Sequence, residues 1–135
     1  LEIVRVMDEH LHSHFEDYAD PRGVAAANLG FPFRIIGFRM KPNQNQFCLN
    51  PKITHKSPHV VQTQTNCGSL RLAEPVTVDR YATIDLEYYD LEGNSVVRRS
   101  IARHEGGFTI QHEVDQVNGR VICHTKIKPT TPING

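Results

Sequence analysis

Gln111-His112-Glu113-Val114-Asp115-Gln116 is the stretch on which the reading of this chain turns. It lies in a run from Gly107 to Val117 in which Ile110, Val114 and Val117 recur at helical steps, and Asn118-Gly119 supplies a stop. On a helix, positions four apart share a face, so His112 and Gln116 point the same way with Glu113 beside them. Two imidazoles at that spacing hold a metal ion in His-Glu-x-x-His hydrolases, while the Glu moves protons to and from the metal-held water. Here the second imidazole is replaced by an amide. Alone, one His-Glu pair on a helix is more often an exposed polar face than a site, so its surroundings decide.

Outward from this helix, Val121 to Ile127 reads as a strand, and 128–135 as a mobile tail rich in Pro and Thr. Towards the N-terminus, Ala82, Ile84, Leu86 and Tyr88 alternate with Thr83, Asp85, Glu87 and Tyr89. Glu92-Gly93-Asn94 separates this run from Ser95 to Ile101, which predicts a hairpin. Arg34 to Met40 reads as a strand, Lys41 to Gln46 as a polar turn, and Phe47 to Leu49 as a short strand stopped by Asn50-Pro51. The chain from there to Val61 reads mostly as loop. At the start, Val4, Met7, Leu11, Phe15 and Tyr18 are spaced for an amphipathic helix over Leu1 to Tyr18. Asp20-Pro21-Arg22-Gly23 breaks it, and the small residues from Val24 to Gly30 let another backbone approach closely. Strands grouped between two helices predict one α+β domain over residues 1–135, with no internal repeat.

The 135 residues and 39% hydrophobic content suit one core. Fifteen basic residues balance fifteen acidic ones, so no overall positive field favours nucleic acid or an anionic membrane, and small or peptidic partners are expected. No apolar run approaches a membrane span and no secretory signal is visible, although the sequence starts at Leu1 rather than Met. Cys48, Cys67 and Cys123 are an odd number at wide spacing, a poor disulfide framework that suits a reducing compartment. A cytoplasmic protein is expected.

Four stretches, in order, resemble the peptide deformylase family across almost the whole chain. Gly23-Val24-Ala25-Ala26-Ala27-Asn28-Leu29-Gly30 is similar to the family's G-L-A-A-P-Q-I-G motif, with Asn28 where the Gln stands. Thr65-Asn66-Cys67-Gly68-Ser69 is similar to E-G-C-L-S, and Tyr88 to Asn94 to the family's hairpin. Gln111 to Gly119 is similar to Q-H-E-x-D-H-x-x-G, lacking only the second His. The resemblance implies small antiparallel sheets around a central helix that carries the His-Glu motif. It implies iron or zinc (Fe2+ or Zn2+) held by a thiolate and imidazoles, and removal of formyl from N-formylmethionyl peptides. In that scheme Cys67 and His112 bind the metal, with Gln116 at the third position. Glu113 acts as general base and then acid, and the Gly68 N–H with Asn28 stabilises the oxyanion.

The departures bear on activity. An amide oxygen from Gln116 is a harder, weaker donor for zinc or ferrous iron than imidazole, so the metal is expected to be held weakly or to be absent. Asn28 is one methylene short, and misplacing one oxyanion donor costs roughly 3 kcal/mol in well-studied hydrolases. Thr65 replaces the family's acidic residue, which would leave Arg80 without its usual partner. The substrate pocket would be walled by Arg22 and Gly23 and, one and two turns before His112 on the same helix, by Glu105, Phe108 and Thr109. An Arg22–Glu105 pair would partly fill it, unless the helix starts later and Glu105 faces solvent. A deformylase of reduced or specialised activity and a catalytically degenerate homologue that binds peptides or proteins both follow from these residues. Bacterial members commonly continue into a C-terminal helix used at the ribosome, and ribosome docking is not expected here.

Other groups read more plainly. His10, His12 and His14 read as a solvated helix face, and His55, His59, His104 and His124 as surface residues. Cys48 and Cys123 read as buried strand thiols. Val24 to Gly30 lacks the Gly-Lys-Ser/Thr ending of a phosphate loop.

Overall fold

The computed structural model describes residues 2–13, 22–41, 44–65 and 76–119. The elements in chain order are α1 (Glu2–Ser13), β1 (Arg22–Ala25), a 3-10 turn (Ala26–Leu29), β2 (Ile35–Lys41), β3 (Gln44–Lys56), β4 (Val60–Thr65) and β5 (Val76–Tyr81). They continue with β6 (Thr83–Tyr89), β7 (Ser95–Ala102), a second 3-10 turn (Arg103–Glu105) and α2 (Gly107–Val117). Five strands form one antiparallel sheet in the order β1-β2-β3-β6-β7, while β4 and β5 form a separate two-stranded sheet. This is the α+β arrangement of small antiparallel sheets around a central helix.

The alternation in β6 decides which face of the large sheet is buried. Ile84, Leu86 and Tyr88 point inward and meet Ile36, Phe38 and Cys48 from β2 and β3 and Ile101 from β7. Helix α2 lays Ile110 and Val114 into that surface, so its apolar stripe covers the sheet. Helix α1 makes a second cluster, with Met7 and Leu11 fully buried against Val24, Ala26 and Ile35. The helix expected over Leu1 to Tyr18 is present from Glu2 to Ser13, and Phe15 and Tyr18 lie outside the described residues. The expected strand from Val121 to Ile127 and the tail also lie outside them.

The hairpin forms as its sequence predicts. The Asp90 carboxylate accepts hydrogen bonds from the backbone of Glu92 and Asn94, and Gly93 takes a left-handed φ of 85°. Pro51, however, does not stop β3. The strand runs through it by a bulge: Asn50 adopts φ 50°, the register to β6 shifts between Leu49 and Lys52, and Pro51 needs no ladder donor there. The Pro51 carbonyl instead accepts from Arg34 Nη2 at 2.8 Å. The stretch expected as loop up to Val61 is thus the second half of β3 and the start of β4.

Two close contacts hold α2. At its C-terminus Arg34 Nη1 donates to Asn118 Oδ1 at 2.6 Å, and its Nη2 bond to Pro51 ties the helix end to the bulge. At its N-terminus, Gly107 sits directly on the last carbonyls of β7. A Cβ there would lie 2.8 Å from the Ile101 oxygen and 2.9 Å from the Ala102 oxygen, both backbone atoms that cannot rotate away. Gly107→Ala is therefore expected to cost about 1–3 kcal/mol, as overpacking does. Urea unfolding of the two proteins checks this; an unchanged midpoint would mean that α2 does not approach β7 as closely as described.

Candidate active site

The faces of α2 have separate tasks. Ile110 and Val114 face the core, Gln111 and Asp115 face β5, and His112 and Gln116 share the row beside them. Side chains four apart meet as the sequence predicts: Gln116 Nε2 lies 3.4 Å from His112 Nε2. The two ends of a side-chain amide are assigned from hydrogen bonding, and turning the amide over presents its carbonyl oxygen instead. Two donors each about 2.1 Å from one tetrahedral ion stand roughly 3.4 Å apart, so the spacing suits a pair of metal ligands. Burial, and secondarily the charge of Arg80, pull His112 down to about 4. The imidazole is therefore neutral at neutral pH, the form that donates a lone pair.

Glu113 faces Gly23 of β1 and is only 5% exposed. Its Oε2 is 3.9 Å from His112 Nε2, and its Oε1 has no hydrogen-bond partner among the described residues. Burial pushes this carboxyl up to about 8, against the opposing charges of Arg22 and Arg80. The carboxyl fits only because residue 23 is glycine: a Cβ there would lie 2.7 Å from Glu113 Oε2 and 2.6 Å from Thr109 Cγ2. Gly23 thus leaves room for side chains from α2. A carboxyl near neutral pKa beside a neutral imidazole is a suitable proton carrier.

Arg80 is 3% exposed and its Nη1 lies 3.4 Å from Asp115 Oδ2. The expectation that loss of the acidic residue at Thr65 strands this cation is corrected, since the carboxylate comes from α2 instead. Gln111, which the sequence reading treats only as part of a motif, is 5% exposed and pairs with the backbone of Tyr81. No local signal marks that contact, because its partner is thirty residues away in sequence.

Of the pocket residues, Arg22 and Gly23 open β1, and Phe108 and Thr109 are buried in the first turn of α2. The ring of Phe108 also receives the Arg103 guanidinium at 4.7 Å. Glu105 is not on this helix. Gly106 has φ 93° and α2 begins at Gly107, so Glu105 closes the preceding 3-10 turn, where its Oε1 accepts from the Ala102 N–H at 3.3 Å. Asn28 lies exposed in the 3-10 turn after β1. Cys67 and Gly68 lie outside the described residues. Among the described residues no three His, Cys, Asp or Glu side chains come together as metal ligands. The His112–Gln116 pair has the spacing of two neighbouring ligands of one zinc or iron ion, with the Glu113 carboxyl alongside.

The polypeptide deformylase family model matches residues 2–131. A peptide deformylase of Rickettsia prowazekii is 29% identical over 116 residues, covering 77% of this chain and 63% of that protein. A Brucella melitensis protein described as peptide deformylase-like is 28% identical over 128 residues, covering 87% of this chain and 74% of its own length. Among solved structures, an Arabidopsis thaliana peptide deformylase in complex with an inhibitor superposes with a TM-score of 0.79 at 19% identity, covering 98% of this chain and 74% of that one. The peptide deformylase of the Vibrio parahaemolyticus bacteriophage VP16T, in complex with actinonin, gives a TM-score of 0.74 at 26% identity, covering 90% and 82%. With a match over nearly its whole length and the same fold around the His-Glu helix, this chain belongs to the polypeptide deformylase family.

Proposed function

We propose that the protein is a metal-dependent amide hydrolase that removes formyl from N-formylmethionyl peptides, with activity reduced or specialised by changes around its metal. The observation that carries this reading is the buried Glu113 carboxyl set 3.9 Å from the His112 imidazole, on the helix that the family uses for catalysis. His112 Nε2, the Cys67 thiolate and the Gln116 amide oxygen would hold Fe2+ or Zn2+. Such an ion, when bound, supplies Lewis acidity and lowers the pKa of its water. Glu113 takes a proton from the attacking water and gives it to the departing amine as the formyl C–N bond breaks, leaving formate and a free N-terminus. The Gly68 N–H and the Asn28 amide donate to the oxygen of the tetrahedral intermediate.

Gln116 favours a second reading, in which the fold persists as a peptide- or protein-binding module without hydrolysis. The two separate on formate release from formyl-Met-Ala-Ser by protein supplied with ferrous iron, nickel or zinc. The unmodified protein should hold metal weakly and release formate slowly. Gln116→His should bring metal content to about one per chain, as three strong protein ligands do, and raise formate release. Adding Asn28→Gln should raise release by more than the two separate gains together, because metal and oxyanion donors act as one unit. No formate from any of these proteins at full metal occupancy would leave the binding-module reading.

The burial of Glu113 also predicts a pH signature in the metal-free protein. Its pKa rises from the ordinary 4.5 to about 8 on folding, so the folded state holds this proton more tightly than the unfolded chain. The stability tied to that proton is fully present below about pH 4.5 and is lost as the pH rises through about 8. Glu113→Gln has no charge to bury. It should therefore be more stable than the parent above pH 8, and the difference should shrink steadily as the pH falls towards 4.5. Thermal melts of both proteins across that range check this; a difference that does not change with pH would mean that Glu113 is solvated.

A further inference from the structure

Among the described residues, the two-stranded sheet shares no ladder with the five-stranded one. A strand pair by itself is marginal in water, so contacts from other elements matter to its placement. At its base the Ala82 N–H donates to the His59 carbonyl at 2.9 Å, and the Thr83 N–H to Ser57 Oγ at 3.1 Å. Those bonds join neighbouring segments and do not reach α2. Gln111 does. Its Oε1 accepts from the Tyr81 N–H at 2.9 Å, and its Nε2 donates to the Tyr81 carbonyl at 2.9 Å. The side-chain amide thereby mimics a strand residue, satisfying both backbone groups of one position of β5 with a bidentate geometry that tolerates little sliding or rotation. One turn further along the same face, Asp115 meets Arg80, the residue before Tyr81.

We propose that Gln111 is a positioning residue, whose paired amide fixes β5, and with it the β4–β5 sheet, against α2 in the placement that the His112–Gln116 site requires. This rests on the functional reading given above. His112 and Gln116 occupy the helix row adjacent to Gln111 and Asp115, so a turn of α2 relative to β5 moves both donors at once.

The test compares the full-length protein with Gln111→Met, which removes both hydrogen bonds, and Gln111→Asn, which keeps an amide too short to span Tyr81. Ile35→Val, in the separate cluster under α1, serves as a control that loosens the core away from α2. Two quantities are read: zinc affinity by chelator competition, and the ring resonances of His112 in zinc-free protein at fixed pH. Both Gln111 variants should weaken zinc binding roughly tenfold or more, as loss of an outer supporting contact does, and should shift the His112 ring signals. The control should change neither. Parental zinc affinity and unshifted His112 signals in Gln111→Asn would overturn the proposal, even if Gln111→Met fails to fold. Should the unmodified protein bind no zinc, the functional reading falls, while the ring signals together with hydrogen exchange at the Tyr81 amide still decide whether Gln111 sets the helix against β5.

Discussion

Burial of the Ile110–Val114 stripe of α2 against the inward faces of β2, β3, β6 and β7 is the contact on which the rest depends. Apolar burial is strong but non-directional: it holds the helix on the sheet without fixing its rotation or its position along its axis. The directional contacts supply those. Gly107 lets the first turn close on the carbonyls of β7, Arg34 ties the last turn to the bulge at Pro51, and Gln111 pairs with Tyr81. With the helix so held, Glu113 has nowhere to go but the space left by the missing side chain at Gly23. Its burial is therefore a consequence of packing, and its raised pKa a consequence of that burial.

The parts of the fold that were legible in the sequence are those where one periodicity ran without interruption. The β6–β7 hairpin and α2 are such cases, since Ile84, Leu86 and Tyr88 in β6 and Ile110 and Val114 in α2 recur at regular steps into the core and the turns after β6 and α2 carry Gly and Asn. The second half of β3 was hidden by Pro51, which reads as a terminator until a bulge removes the need for its N–H. Strand β5 was hidden for a different reason. Its inward positions are Val78 and Arg80, and a buried cation breaks the alternation that signals a strand. The Asp115 partner that makes this burial tolerable lies 35 residues away.

The site shows the same division. The His112–Gln116 spacing follows from helical geometry alone and needed no fold to be seen. The role of Gln111 depends on a partner on another element, which no local pattern announces. Whether Glu105 lies on α2 or before it turns on Gly106, whose conformational freedom leaves both arrangements open in the sequence. The left-handed φ at Gly106 makes a separate turn and sends the carboxylate back to Ala102. That takes Glu105 off the helix that carries Phe108 and Thr109.

The central claim is that His112 and Cys67 still hold a divalent ion, with Gln116 taking the place of an imidazole. X-ray absorption fine structure at the zinc edge of zinc-loaded protein tests it directly. The account predicts one sulfur scatterer at about 2.3 Å, with the remaining neighbours nitrogen or oxygen at about 2.0–2.2 Å. The sulfur shell should vanish in Cys67→Ser. A shell of nitrogen and oxygen alone, or a sulfur shell that survives that substitution, would contradict it.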